Sequence, residues 1–277
     1  MKHGFLELRD LVRSRTIIRV MRYLFPLLLC LVGLPAFAQP TTGEFPFEEG
    51  ETLKYDLKWS IFHVGYATMQ VEEFGDYEGE PAWHFSFRVR TNSFADAFFK
   101  VRTRIDTWVS EDLTRTLFYK EKKREGKTRR DIEVAFDWEN REAVYSNFGE
   151  KREPVALPEG PVLDPVGAVY HFRAIPPRKG GDYVFTVTDG KKAVTVSLPV
   201  ESEKRIKVKA GKFNTFKIQP ETGELGGVFE KSDDSEVNLW FSSEGSIYPV
   251  QVEGEVAVGS FWARLKEAEI RKPENPE

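Results

Sequence analysis

Apolar and polar residues alternate with a period of two along most of the chain after residue 50. The alternation is strict at 52–59 and 83–90 and returns at 194–200. A β-strand with this pattern places its apolar side chains on one face and its polar side chains on the other. We therefore predict an all-β, mainly antiparallel protein in which each strand buries one face. Similar runs predict further strands at 64–74, 100–110, 115–124, 130–137, 182–188, 204–209, 212–219, 236–242, 247–255 and 258–268.

Two segments break the alternation and are predicted to be helical. Asp164 followed by Pro165 is typical of a helix N-cap and first position, and apolar residues continue to Phe172. A second helical turn is expected within 93–100. These features predict an open or closed β-barrel-like double layer with one or two short helices, in which an N-terminal and a C-terminal layer are joined around 149–175.

The first 38 residues are predicted to be a removable export signal. A basic stretch ending at Arg22 precedes an apolar run at 24–34, and Ala36 and Ala38 form the small-x-small pattern that a signal peptidase recognises. The run is shorter than the roughly 20 residues that span a bilayer. We therefore expect cleavage between Ala38 and Gln39, no transmembrane anchor afterwards, and a periplasmic or secreted protein.

Two residues of this segment bear on its processing. Met21 would open a compact signal by itself and is a candidate true start. Cys30 follows Leu28 and Leu29, whereas a lipid-attachment cysteine follows small residues, so the sequence does not favour a lipoprotein. For the rest of the chain we predict a flexible segment at 39–46, a single β-rich domain at 47–268 and a flexible tail at 269–277.

Removal of the signal changes the charge of the chain. The whole sequence has 40 Lys and Arg against 44 Asp and Glu, a net charge of −4, and one Cys. The signal contains six of the basic residues, two of the acidic residues and the Cys, which leaves 34 positive and 42 negative side chains, a net charge of −8. This acidity argues against nucleic-acid binding, and the loss of the Cys excludes thiol catalysis.

Four segments, in order, resemble an exported bacterial family catalogued as domain of unknown function 3108. They are FEEGETLKY at 47–55, LDPVGAVYHFR at 163–173, KAGKFNTFKI at 209–218, and LWFS at 239–242 with YPVQV at 248–252. The resemblance covers about residues 45–268 and implies a β-rich envelope protein without an established reaction. It also implies that the motif residues are structural, namely Gly50, Asp164, Pro165, Tyr170, Arg173, Gly211, Phe213, Trp240 and Pro249. Relatives often carry Ser where this chain has Gly167, so we assign no chemistry to that position.

Catalytic signatures are absent from the sequence. His63, His84 and His171 are far apart, and no HExxH, CxxC, P-loop, GxGxxG or GxSxG motif occurs. We expect no catalytic residue, metal ligand or cofactor, although a zinc site built from two histidines and a carboxylate on distant strands stays open. The acidic clusters at 48–51 and 233–236 lack the register of a calcium loop and are interpreted as solvated turns.

The segment 120–130 is unusually basic, because seven of its eleven residues are Lys or Arg. Lys123, Arg124, Lys127 and Arg129 are candidate contacts for anionic lipid headgroups or lipopolysaccharide phosphates. The alternative, which the sequence alone favours, is that these charges keep an exposed hairpin from pairing with other chains.

The chain is also rich in aromatic residues, with 22 Phe, 9 Tyr and 6 Trp. Such rows fill a core more often than they line a ligand cavity, and both interpretations stay open here. The candidate cavity residues are Tyr55, Trp59, Trp83, Phe85, Trp240 and Phe241. We interpret the protein as a non-enzymatic envelope module that binds a lipid, glycan or protein. An envelope hydrolase and an assembly factor acting through a sheet edge are the alternatives.

Overall fold

The alternating segments form the strands of one large, mainly antiparallel sheet. The structure is a computed structural model and describes residues 45–220, 237–256 and 259–270. Within these ranges the chain forms 16 strands and two short helices, which confirms the predicted fold class. The predicted signal with Ala38, Gln39 and Cys30 lies outside the described residues, and so does the acidic cluster at 233–236.

The elements follow the chain in this order: β1 (Glu51–Trp59), β2 (Phe62–Tyr77), β3 (Glu80–Thr91), α1 (Ser93–Asp96), β4 (Val101–Ser110), β5 (Thr116–Glu125), β6 (Thr128–Asp137), β7 (Glu142–Asn147), β8 (Glu150–Lys151), β9 (Val155–Ala156), β10 (Val162–Leu163), α2 (Pro165–Ala174), β11 (Asp182–Thr188), β12 (Ala193–Val208), β13 (Gly211–Ile218), β14 (Val237–Ser242), β15 (Pro249–Val256) and β16 (Gly259–Ile270). In space the order is β10-β11-β12-β13-β14-β15-β16-β1-β2-β3-β4-β5-β6-β7-β8, with β9 paired to β7. The two halves of the chain therefore meet side by side through β16 and β1, in addition to the connection predicted around 149–175.

The two ends of the sheet approach each other without closing. The backbone N–H of Val162 on β10 donates to the carbonyl of Thr114, just before β5, at 2.9 Å. At Gly190, between β11 and β12, a Cβ atom would lie 2.7 Å from Val134 and 3.2 Å from Tyr145. This close approach requires glycine, and it holds the β11–β12 turn against β6 and β7. The sheet is thus an open, curled barrel.

The helix α2 fills the interior of the curled sheet. Every residue at 165–173 is buried, as expected of a helix that is covered on all sides. Tyr170 stacks on Phe85 with ring centroids 3.7 Å apart, and Phe172 lies 4.6 Å from the ring of Phe241. The inner face of the sheet therefore packs against the helix and forms the main core.

Asp164 anchors the N-terminus of α2 to two strands. Its Oδ1 accepts hydrogen bonds from the backbone N–H groups of Val166 (2.8 Å) and Gly167 (3.2 Å), which confirms the predicted N-cap. Its Oδ2 accepts hydrogen bonds from the hydroxyls of Thr107 (2.5 Å) and Thr116 (2.8 Å) on β4 and β5. Burial raises the pKa of this carboxyl, although the four hydrogen bonds favour its charged form.

Arg173 anchors the C-terminal end of α2 to β1. Its guanidinium forms a bidentate ion pair with Glu51, at 2.6 and 2.9 Å, and both side chains are almost completely buried. Arg173 also donates to the carbonyls of Pro46 and Ser246. The interpretation of the acidic cluster at 48–51 as a solvated turn is therefore wrong for Glu51, because this carboxylate is the partner of a buried cation.

Two predicted boundaries also differ from the structure. Phe45 stacks on Phe47 at 5.4 Å, so the end of the segment expected to be flexible at 39–46 packs against the core. Strand β16 continues to Ile270, inside the expected flexible tail, because its last residues pair with the start of β1. Both corrections arise from long-range contacts of β1 and its neighbours.

We expect the pair of Arg173 and Glu51 to be essential for stability. The substitution Arg173→Met leaves a buried carboxylate without its cation, which should lower the free energy of unfolding by about 3–5 kcal/mol. Adding Glu51→Gln removes the orphaned charge and should restore part of that loss. Urea unfolding of the two single variants and the double variant measures the coupling. A loss below about 1 kcal/mol for Arg173→Met would contradict this anchoring role.

His171 should make stability depend on pH. The ring is buried with Nδ1 2.8 Å from the carbonyl of Leu113, and burial lowers its pKa from 6.5 to about 4. Between these values the unfolded chain binds more protons than the folded protein, so the free energy of unfolding falls as the pH falls. The slope from this group is about 1.4 kcal/mol per pH unit. Urea unfolding across this window should give a shallower slope for His171→Gln, and equal slopes would refute the prediction.

Candidate functional site: a basic groove on the outer face of the sheet

Five of the six aromatic residues predicted to line a cavity belong to the main core or pack against it. The main core contains Tyr55, Phe85 and Phe241, and Trp59 and Trp83 pack against it. Trp240 lies in a separate buried cluster with Ile206 and Val250. Most of these rings therefore pack around α2 or between strands.

An open groove of about 800 Å³ crosses the sheet from β16 to β5. Among the described residues that line it, none is acidic and eight are basic: Lys54, Arg88, Arg90, Arg102, Arg104, Lys122, Arg124 and Lys266. The basic side chains lie on the outer face, since they alternate with buried residues such as Val89 and Thr103. Five spacings between six strands make the groove about 24 Å long.

Strand register brings like charges directly opposite each other. Two rows run across β3, β4 and β5; one is Arg88, Arg104 and Lys122, and the other is Arg90, Arg102 and Arg124. Like charges opposite each other destabilise an antiparallel pair. The outer face therefore holds a repulsive array of cations, which a bound anion would relieve.

Carboxylates beside the groove neutralise only part of this charge. Ion pairs join Glu72 to Arg88 (3.2 Å), Asp96 to Arg102 (2.6 Å) and Asp106 to Arg104 (2.6 Å), and Lys54 contacts Glu267 and Glu269. The Arg102 guanidinium lowers the pKa of the Asp96 carboxyl. Within the described part of the chain, Arg90, Lys122, Arg124 and Lys266 have no carboxylate oxygen within 4.0 Å.

Tyr66 lies in the groove between two of these cations. The Arg90 guanidinium is 5.7 Å from the centroid of its ring, and the Lys266 ammonium is 5.8 Å away. Cation–π attraction at such distances holds long basic side chains near an aromatic surface. The groove thus offers fixed positive charge together with one half-buried aromatic ring.

The predicted basic hairpin contributes only in part to this surface. Arg124 lines the groove, and Lys127 and Arg129 are exposed at the β5–β6 turn. Lys123 lies on the inner face, where it contacts Glu121 at 3.7 Å and Glu125 at 3.3 Å, so its prediction as an outer-surface contact is corrected. The period of two places Lys123 on the same face as the buried residues of β5.

Sequence reasoning missed the four arginines on β3 and β4. Each alternates with buried residues, and that signal was present in the sequence, but their charges meet only through strand pairing. The alternative role for the hairpin, protection of a free edge, does not fit the sheet. Strand β5 pairs with β4 and β6, and β6 pairs with β5 and β7, so neither strand is an edge.

The three histidines have separate surroundings. His63 is 3.4 Å from Asp56, and His84 is 3.3 Å from Asp106 and stacks on Trp108, whereas His171 contacts a backbone carbonyl. The described ranges contain no group of three His, Cys, Asp or Glu residues that could hold a metal ion. They also contain no helix that is long and apolar enough to cross a membrane.

The remaining family-motif residues lie outside the groove. Gly50 precedes β1 and Gly211 is the first residue of β13, and both adopt positive φ angles, 80° and 151°. Phe213 packs edge-on to Tyr248 at 6.2 Å, and Pro249 begins β15 opposite Phe241. Asp164, Pro165, Tyr170 and Arg173 are buried in the interior, and Trp240 is buried in its separate cluster, so these motif residues have contacts within the fold.

One solved structure supports the fold. A β-barrel-like protein of domain of unknown function 1849 from Brucella abortus has a TM-score of 0.51 at 13% identity, covering 80% of this chain and 98% of its own. A candidate exported protein with a YmcC-like fold from Bacteroides fragilis has a TM-score of 0.36 at 11% identity, covering 81% and 98%. At these identities, the similarity with the first structure concerns the fold alone.

The family comparison covers most of the chain. Residues 54–266 match the family described as protein of unknown function DUF3108. The comparison with curated proteins gives no match. The matched range runs from the first strand to the last and includes every basic residue of the groove. The chain therefore belongs to the DUF3108 family.

Proposed function

We propose that this protein is a non-enzymatic module of the cell envelope that binds an anionic, phosphate-bearing ligand along the basic groove. The observation that carries the proposal is the pair of cross-strand cation rows on β3, β4 and β5. A periplasmic or secreted location is part of the proposal and is supported by the export signal predicted at 1–38. Lipid headgroups and phosphorylated glycans of the envelope share the required chemistry.

The groove suits an extended or multivalent anion. Its length of about 24 Å exceeds a single phosphate several times over, so several anionic groups can be bound side by side. Arginine is well suited to this role because its planar guanidinium donates two parallel hydrogen bonds to a phosphate. The neighbouring carboxylates hold several guanidinium groups in place, which reduces the entropy lost on binding.

The sheet edges offer less support for a role in strand addition. The edge strands β8 and β10 contain two residues each, and β10 is further bonded to the loop before β5. Short edges of this kind provide few free backbone groups for a partner strand. Binding through the outer face therefore agrees better with the geometry than assembly through an edge.

The first test reverses charge in the groove. Wild-type protein should bind inorganic tripolyphosphate, and also vesicles of phosphatidylethanolamine with phosphatidylglycerol, with affinities that fall as salt is added. The double variant Arg90→Glu/Arg124→Glu should bind both probes at least about tenfold more weakly, because it replaces two attractions by repulsions. Isothermal titration calorimetry and vesicle co-sedimentation provide the measurements.

The matched control makes the same charge change elsewhere. Arg178 and Lys179 are exposed and do not line the groove, so Arg178→Glu/Lys179→Glu should keep the wild-type affinity. An equal loss in this control, or no wild-type binding of either probe at low salt, would refute the proposal. Binding of vesicles alone would identify a lipid surface as the source of phosphate, and binding of tripolyphosphate alone a soluble one.

A second test examines the cost of the cation rows. Without an anion, Arg124→Gln should raise the free energy of unfolding by about 0.5 kcal/mol, because it removes a like-charge contact with Arg102. The same variant should bind tripolyphosphate more weakly than wild type. Thermal unfolding with and without the anion measures both effects, and Arg178→Gln is the control. Destabilisation by Arg124→Gln would contradict the repulsion.

A further inference from the structure

An apolar surface lies beside the basic groove, at the β1–β2 turn and the connection between β3 and β4. Ile61 is 84% exposed in the turn between β1 and β2, and Phe94 and Phe98, at and just beyond α1, are 44% and 38% exposed. Phe94 stacks on Phe62 at 5.8 Å and contacts Phe98 at 5.6 Å. We call the three rings of Phe62, Phe94 and Phe98, together with the adjacent Ile61, the aromatic tip. Scattered exposed apolar residues are ordinary, but contiguous ones indicate an interaction site.

The aromatic tip is joined to the groove by specific contacts. Asp96 lies between Phe94 and Phe98 in the chain, and its carboxylate pairs with Arg102 in the groove at 2.6 Å. Asn92 caps α1 and also donates to the backbone carbonyl of His63 at 2.7 Å, which ties the two loops of the tip together. The tip therefore has a fixed position beside the cation rows.

Further cations lie at the strand ends that carry the aromatic tip. The backbone N–H of Gly126 in the β5–β6 turn donates to the carbonyl of Lys100, which precedes β4, at 2.9 Å. The side chains of Lys100 and Lys127 are both exposed. Apolar side chains ringed by Lys and Arg are typical of surfaces that lie in the interface of an anionic bilayer, where rings enter the headgroup region and cations meet phosphates.

We infer that the protein docks on an anionic bilayer, with the aromatic tip inserted among the headgroups and the adjoining side of the groove over their phosphates. The inference rests on the proposed function, because the same groove supplies the charge, and it names a lipid surface as the partner. Charge complementarity favours this partner: within the described residues, the surface beside the tip is dominated by cations. Insertion also removes the apolar rings from water.

A fluorophore on the tip tests insertion directly. The full chain has one Cys, Cys30, so Cys30→Ser with Phe98→Cys gives a single labelling position for an environment-sensitive dye. Vesicles of phosphatidylethanolamine with phosphatidylglycerol should shift the dye emission to the blue, and phosphatidylcholine vesicles should not. The control carries the dye at Ile270→Cys. Ile270 is 51% exposed and pairs with the start of β1, whereas the tip lies beyond the end of β1. An unshifted dye at position 98, or equal shifts at both positions, would overturn the inference.

Substitution of the tip separates this inference from the function of the groove. Ile61→Ser/Phe94→Ser should weaken vesicle binding by about tenfold and leave tripolyphosphate binding unchanged, since neither residue lines the groove. Ile270→Ser should change neither. Vesicle affinity equal to wild type in the tip variant would overturn docking and leave anion binding in place, whereas failure of both probes with wild-type protein would refute both. If the tip variant also lost tripolyphosphate binding, the dye at position 98 would decide.

Discussion

The buried ion pair of Arg173 and Glu51 connects the centre of this protein to its sheet. Two charges removed from water are costly unless they satisfy each other, so the end of α2 has one favourable position, at the start of β1. Asp164 imposes a similar condition at the other end, because its carboxylate has its hydroxyl partners on β4 and β5. With both ends fixed, the helix lies inside the curl, and the inner face of the sheet is packed against it.

This packing determines where a ligand can bind. A helix and aromatic rings occupy the space that an empty barrel would offer, and the groove in the described part of the structure lies on the opposite face of the same strands. Burial of the inner face provides stability that the outer face does not need to supply. The outer face can therefore tolerate rows of like charges that cost a few tenths of a kcal/mol per contact.

The proposed functions of the groove and the aromatic tip are physically compatible. Electrostatic attraction acts over about a Debye length and brings the protein to an anionic surface, whereas apolar insertion acts only on contact. The pair of Asp96 and Arg102 fixes the tip against the side of the groove, so both can meet one surface together. In this orientation the buried helix takes no direct part in binding and serves as the support of the binding face.

Much of the fold could be predicted from local pattern. The period of two determined which residues of a strand share a face, and Asp164 with Pro165 determined where the helix begins, because both signals depend on residues close in sequence. The same reasoning could not say that Glu51 is buried, since its partner lies 122 positions away. Nor could it tell whether the aromatic rows enclose a ligand or a helix.

At the candidate site, too, the sequence pattern determined some features and the tertiary structure determined others. Alternation in the sequence placed Arg88 and Arg90 together on one face of β3, whereas the predicted surface contacts grouped Lys123 with Arg124, and these two residues lie on opposite faces of β5. Tertiary structure alone decided that the face of Arg124 is the outer one and that its neighbour on β4 is another arginine, Arg102. A chain's own periodicity relates residues within a strand, whereas register and the choice of buried face depend on contacts between distant segments. The sequence by itself therefore determined the strands, the helix start and the basic hairpin, and only the tertiary structure assembled a groove from them.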